Sequence, residues 1–426
     1  MIKIYKLILF FTALTTVAAA QEGPKEANEE AKKEAGEGSK GKAQAKKGLD
    51  VSGYVHAQWI ATPEKRDWGG HYISTAGGGF TPEVNNRFTV RRCRIKFAYN
   101  NDVFSVVAQP DFKERGIKLV DAYAGVNSRS KSYPMGLKVG LYAPPFGYEI
   151  ERSPTANEFA ERSRTILALF PSARDVGAGG SIAAPGGFAL DAGMFNGNGV
   201  AVENDSYKDF VGRVRWLRRW GGDELGAAVS YRRGAVPGGS SRIYRAGEGF
   251  VPETTEHANT YSREYAGFSL WAGKRWSWGL TSIATEWTLG RQPSEAGRFA
   301  NIAGTGFTSA SDLYMRDFVG GYAALVHRIG RTRHSVEVKY DYLDPNRRVR
   351  GNEIGLAATG VTPATAADLA YTTVSFGYVY DMNAYVRLLA QYDLTRVERS
   401  TALAGFTPAD RLRQDVLTLR LQVRVP

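Results

Sequence analysis

Leu49–Ala61 reads LDVSGYVHAQWIA, and its two faces are chemically distinct. Leu49, Val51, Gly53, Val55, Ala57 and Trp59 fall on one side, and Asp50, Ser52, Tyr54, His56 and Gln58 on the other. A period of two belongs to a β-strand, whose successive side chains point to opposite faces. The pattern returns in His334–Leu343, where Val336, Val338, Tyr340 and Tyr342 oppose Ser335, Glu337, Lys339 and Asp341. It returns in Asn383–Thr395 and again in Arg413–Val425, where Leu417, Leu419, Leu421, Val423 and Val425 oppose Thr418, Arg420, Gln422 and Arg424. Such segments reach the length, about 9–11 residues, that crosses a bilayer when tilted.

Working outward, alternating segments centre near Val55, Ile95, Val107, Ala122, Val139, Gly180, Ala192 and Arg213. Further ones centre near Val229, Leu270, Ile283, Ala323, Val338, Val374, Leu388 and Leu421. Sixteen strands over residues 49–426 leave about 24 residues for each strand with its connection, which suits an even-numbered outer-membrane barrel. Short turns such as Arg219–Asp223 and Asp381–Asn383 alternate with long polar loops such as Ala235–Arg263. The 22 Tyr and 8 Trp recur near strand ends, as interfacial girdles do. A soluble β-sandwich needs no girdle, and a propeller of this size would show a fixed repeat, which is absent. The predicted fold is therefore all-β: a closed transmembrane antiparallel β-barrel of about 16 strands.

The N-terminus supports export. Lys3 and Lys6 precede an apolar stretch, Leu7–Val17, and Ala18-Ala19-Ala20 offers a cleavage site, so residues 1–20 read as a signal peptide. Residues 21–48 hold seven Lys and six Glu without aromatic or β-branched residues, a charged periplasmic tail that cannot bury a core. No later stretch approaches the 18 consecutive apolar residues of a membrane helix, which leaves strands to cross the bilayer. The expected location is the bacterial outer membrane, in contact with its lipid; an exported chain is not expected to meet nucleic acid. Cys93 stands alone, which excludes an internal disulfide and any cysteine-based metal site.

The net charge is +12, and residues 49–426 retain 46 basic against 37 acidic side chains, 37 of the basic ones Arg. In a membrane barrel the polar strand face looks into the lumen, because Arg facing lipid costs about 2–4 kcal/mol near the midplane. Phe88–Tyr99 (FTVRRCRIKFAY) then turns Arg92, Arg94 and Lys96 inward, with a bulge near Arg91–Arg92 to reconcile Phe88 and Val90 with the phase. Arg213 and Arg215 alternate with Val214 and Trp216, and Arg420 and Arg424 do so in the last strand. Asp121, Glu337 and Asp341 are the expected acidic partners across the lumen. The set predicts a positive lumen favouring small anions; the alternative is transverse ion pairs bracing the wall.

Phe146–Arg174 does not alternate. It opens after Pro144-Pro145, carries four Glu and no Lys, and contains the apolar run Ile166–Phe170. Residues 146–174 are expected to fold into the lumen as a constriction loop, since a sixteen-stranded pore is otherwise wide.

Several motifs occur in a telling order: Arg91-Arg92-Cys93-Arg94, Asp121-Ala122-Tyr123 and Val139-Gly140-Leu141-Tyr142-Ala143-Pro144-Pro145-Phe146-Gly147-Tyr148-Glu149. Glu161-Arg162-Ser163, Arg174-Asp175-Val176-Gly177, Phe195-Asn196-Gly197-Asn198-Gly199 and Val211-Gly212-Arg213 follow. Together they resemble the phosphate-selective porin O and P family of Gram-negative outer membranes over residues 49–220. The resemblance implies a homotrimer of sixteen-stranded barrels whose third loop folds inward and whose Arg and Lys lead anions, phosphate among them, through the pore. It implies that Arg91 and Arg92 stand near the constriction, that Asp121 is the carboxylate of the Asp-Ala-Tyr strand and that Glu161-Arg162-Ser163 lies in the inward loop. With the inward-facing strand positions, the candidate pore-lining or anion-binding residues are Arg91, Arg92, Arg94, Lys96, Lys118, Asp121, Tyr123, Arg162, Ser163, Arg164, Arg174, Arg213 and Arg215. The chain departs from the family in its lysine-free loop and in ending Val425-Pro426, where outer-membrane barrels carry an aromatic residue.

Catalytic signals are sparse. His56, His71, His257, His327 and His334 show no metal-ligand spacing, and neither a nucleophile elbow nor a phosphate-binding loop is present. A barrel-embedded hydrolase would need a pair such as Asp50 and His56, which six residues of strand hold about 20 Å apart. The expectation is a passive channel with no cofactor, no metal and no enzymatic role, a general-diffusion porin being the alternative.

Overall fold

The structure, a computed structural model, describes residues 48–62, 84–114, 116–128, 130, 132–157, 159–237, 242–247, 249–253, 260–301, 312–356, 358–403 and 415–425. The signal peptide and the tail up to residue 47 lie outside these, as do His71, His257 and Glu158. Gly48, expected in the tail, already belongs to the first strand.

The strands are β1 (Gly48–Ala61), β2 (Asn86–Asn100), β3 (Phe104–Lys113), β4 (Gly116–Asn127), β5 (Met135–Tyr142) and β6 (Asp175–Ala183). Then come β7 (Phe188–Phe195), β8 (Asp209–Trp220), β9 (Asp223–Pro237), β10 (Ile243–Gly247), β11 (Gly249–Glu253) and β12 (Thr260–Trp276). The last are β13 (Gly279–Ser294), β14 (Leu313–Ile329), β15 (His334–Asp344), β16 (Tyr371–Asp381), β17 (Val386–Val397) and β18 (Val416–Val425). β10 and β11 form a small hairpin that makes three parallel pairs with β14 and, through Phe250, a bridge to Thr362. The remaining sixteen pair with their neighbours in chain order, all antiparallel, and β1 pairs with both β2 and β18 to close a barrel. Each of the sixteen contains one of the expected strand centres. Closure removes the exposed edges that an open sheet would present.

Alternation places the two faces as the sequence pattern requires. Tyr54, His56, Gln58 and Ile60 are buried inside, while Val51, Val55, Val139, Val229, Val338, Phe376 and Leu421 are exposed on the outer wall. Among the described residues no helix is long and apolar enough to cross a membrane; the apolar belt lies on strands. The expected bulge is present: His56 pairs with Arg92 and Ala57 with Val90, so Arg91 is the extra residue. A second bulge pairs Gln109 with Asp121 but Pro110 with Leu119, and a proline inside a sheet is tolerated at such a break.

Seven connections at one end are short, from 101–103 between β2 and β3 to 382–385 between β16 and β17. At the other end all but 114–115 are longer, and 143–174, between β5 and β6, is the third of them. β5 and β7 are only 8 residues long, against 17 for β12 and β14, so the wall is lowest where this third loop leaves it.

Candidate functional site

The third loop crosses the barrel and is bonded to the inner face of distant strands. Near its start Gly147 N donates to Ser230 Oγ on β9 at 2.9 Å, and Tyr148 N and Glu149 N donate to Glu286 Oε2 on β13 at 2.7 and 2.9 Å. Arg213 of β8 donates to the Gly147 carbonyl at 2.8 Å and pairs with Glu151 at 2.7 Å. Gly147 has φ +61°, and a Cβ there would stand 2.0 Å from Glu286 Oε1, so only glycine fits this approach. Further along, Ala160 N donates to Gln391 of β17 at 2.7 Å, and Lys339 of β15 donates to the Glu161 carbonyl at 3.0 Å. The loop thus folds inward, as expected, spanning the lumen from β8 to β17.

Ser163 then caps a short helix, α1 (Arg164–Leu169): its hydroxyl accepts from Ile166 N and donates to Glu149 at 2.7 Å. The buried face of α1 and Phe146, Ile150 and Phe170 pack on Tyr265 and Phe318 of the wall. The run Ile166–Phe170, read only as an apolar stretch, is the core of this packing. Burial of such rings is worth about 1.5–3 kcal/mol each and contributes to holding the loop against the wall. After α1 the chain returns through Ser172 and Ala173, both at positive φ (65° and 55°), a costly conformation for residues with a Cβ. That turn presents Ser172 Oγ to Lys118 Nζ at 2.9 Å and brings Arg174 onto Asp121.

Glu161 is the main latch. Arg91 Nε and Nη2 grip its two carboxylate oxygens at 2.7 Å each, Arg92 Nη2 donates at 2.9 Å, and Arg420 Nη2 at 2.9 Å. Burial by itself would raise the Glu161 pKa, but the three guanidiniums outweigh it and hold the carboxyl well below its usual range. The bulge explains the geometry: the extra residue lets adjacent Arg91 and Arg92 both reach one carboxylate. Three cations on one anion leave net positive charge against the β1–β2–β18 wall.

Solvent-accessible cations lie elsewhere. Lys96, Lys113, Lys118 and Lys138 stand on four successive strands, β2 to β5, with Arg94 among them. Their register makes them inward: Lys96 pairs with Ser52, Lys118 with Asp111 and Lys138 with Gly125, all on the lumen phase. Lys113, Lys118 and Lys138 are exposed and Lys96 is half-buried. Lys138 lies 5.3 Å from the Tyr123 ring and 5.9 Å from the Tyr142 ring. The acids on this wall are already engaged: Asp111 with Arg94 and Lys113, Asp121 with Arg174, and Asp191 with Arg213 and Arg215. On the other side of the loop a cavity of about 190 Å³ is lined by Tyr148, Arg152, Phe159, Trp271 and Tyr322 and by no lysine. The lysine-bearing wall and this cavity, on opposite sides of the loop, are chemically unlike.

The sequence-predicted residues separate accordingly. Arg94, Lys96, Lys118, Tyr123, Arg174 and Arg215 face the β2–β5–β8 passage, with Asp121 tied to Arg174. Arg91, Arg92 and Arg213 face inward too, but they hold the loop, and Arg92 and Arg213 are buried. Against the expectation that they line the pore, Arg162, Ser163 and Arg164 are buried: Arg162 donates to the carbonyls of Glu149, Ile150 and Arg152, Ser163 caps α1, and Arg164 lies 4.4 Å from the Tyr371 ring. The expected acidic partners also need correcting. Loop residue Glu161 and the strand residues Asp111 and Asp191 take the strand arginines and Asp121 takes Arg174, whereas Asp341 accepts from Arg164 N, because the inward loop brings its own charges closer to the strands than the facing wall lies. Lys113 and Lys138 were missed; the alternation of Met135–Tyr142 (MGLKVGLY) contained the signal for Lys138.

No family model matches the chain, and no curated protein sequence does. Solved structures do. OprB of Pseudomonas putida aligns with TM-score 0.55 at 9% identity, covering 88% of this chain and 94% of that one. The outer membrane channel DcaP of Acinetobacter baumannii aligns with TM-score 0.53 at 11% identity, covering 88% of this chain and 97% of that one. The chain shares their barrel fold.

Proposed function

We propose that the chain is a passive outer-membrane porin, a water-filled channel for small solutes with a preference for anions. The observation that carries this reading is the row of accessible lysines on β2–β5 beside the inward loop, where Asp111 and Asp121 of the same strands are already paired. A compact ammonium on a flexible stem contacts a passing anion and releases it, which conduction through several weak sites requires. The pinned arginines brace the loop that sets the width. Inorganic phosphate belongs to the favoured solutes on this reading, and a homotrimer and export through residues 1–20 complete it. Pairing of so many lumen arginines favours a second reading, a general-diffusion porin in which the charges only brace.

In a planar bilayer the purified protein is expected to give stepwise, ohmic conductance, with chloride current falling on addition of inorganic phosphate. Steps without any phosphate effect would leave a general porin; no steps would refute the channel itself.

A further inference from the structure

On the outer wall at the short-turn end, charged side chains stand among tryptophans. Along β8 the outward side chains include Val214, Trp216, Arg218 and Trp220. Arg218 is exposed and has no partner among the described residues, whereas its neighbour Arg219 points the other way onto Glu224. On β12, two strands along, Lys274 and Trp276 share that outward face, and Lys274 Nζ lies 5.7 Å from the Trp276 ring and 2.7 Å from Asp223. Register fixes their spacing: Arg218 pairs with Leu225 and Leu225 with Ala272, one outward position short of Lys274. Strand geometry then sets the two Cα atoms about 12 Å apart, within the span of a lipid headgroup and its neighbours. Trp220, Trp276 and Trp278 are 47%, 45% and 60% exposed around them, and Trp276 stacks on Trp278 at 6.1 Å.

Tryptophan at such a rim marks the depth of the headgroups, and a cation on the lipid side is tolerated only where it reaches them. Zwitterionic headgroups would leave Arg218 without net counter-charge. We propose that Arg218 and Lys274, framed by Trp216, Trp220, Trp276 and Trp278, form a docking site for an anionic phospholipid. Its phosphate meets Arg218 directly, with Lys274 held beside it by Asp223, and its acyl chains lie along the apolar outer faces of β8, β9 and β12. The site is outside the lumen and independent of what the channel conducts.

The test is native mass spectrometry of the purified full chain titrated with phosphatidylglycerol or phosphatidylcholine in mixed micelles. Wild type is expected to retain phosphatidylglycerol preferentially. Arg218→Gln is expected to weaken that preference about fivefold, the worth of one interfacial cation, and Arg218→Gln with Lys274→Gln to abolish it. Arg218→Lys should preserve it. Heat-dependent gel migration verifies that each variant is a folded barrel, and the Arg218→Lys comparison stands even where the double variant fails to fold. Equal retention of the two lipids by wild type, or an undiminished preference in folded Arg218→Gln, overturns the site.

Discussion

Replacing Glu161 with Gln is expected to free the third loop and raise single-channel conductance, with the barrel still closed. The carboxylate receives Arg91, Arg92 and Arg420 at 2.7–2.9 Å and is almost wholly buried. Removing its charge strands three guanidiniums against one another, and breaking a buried pair in this way costs about 3–5 kcal/mol. That loss falls on the loop, since the sheet's own pairing does not pass through Glu161. The same latch sets a pH window. The Glu161 carboxyl is depressed in the folded protein, so its contribution is fully present above the ordinary carboxylate pKa, 4.5, and is lost only as pH falls below that through the folded value. This latch should therefore add no pH dependence of its own between neutral pH and pH 4.5 and should raise wild-type conductance in stronger acid, while Glu161→Gln should show the larger conductance at neutral pH. Equal conductance in variant and wild type at neutral pH would mean that the apolar packing of α1 holds the loop unaided.

The second large effect is on charge selection. Changing Lys96, Lys113, Lys118 and Lys138 together to Gln is expected to remove most of the anion preference with conductance near wild type, as none of the four anchors the loop to a strand through a carboxylate. Lys118 alone touches the loop, through Ser172 Oγ, a contact Gln can keep. Substituting Arg91 and Arg92 should act differently: it loosens Glu161 first and alters conductance along with selectivity. Reversal potentials for the two variants separate these outcomes. Unchanged selectivity in the four-lysine variant would place the filter among the loop-bound arginines instead.

Strand positions were legible because alternation is enforced on every strand by lipid outside and water inside, so each of sixteen centres falls within its strand. The Arg91–Arg92 bulge was legible for the same reason: it is the only way to keep Phe88 and three cations each on the proper face. Pairing was not. A period of two says that Arg92 and Asp121 face inward, but which acid meets which base depends on the register between strands and on where the loop lands, neither of which is local. Glu161 sat in a loop recognised as inward-folding, yet nothing in its own neighbourhood announces three arginines from β2 and β18. Nor does the abundance of Arg over Lys say which cations stay accessible. The many arginines are the pinned ones, and the few lysines, four of nine in residues 49–426, are the ones left accessible in the passage.

On the proposed reading, accessible lumen lysines give a passive channel an anion bias. The most direct measurement is the reversal potential of the wild-type protein in a planar bilayer under a KCl gradient. The sign expected is that of chloride carrying more current than potassium; a potential of zero, or one of the cation-selective sign, would contradict it.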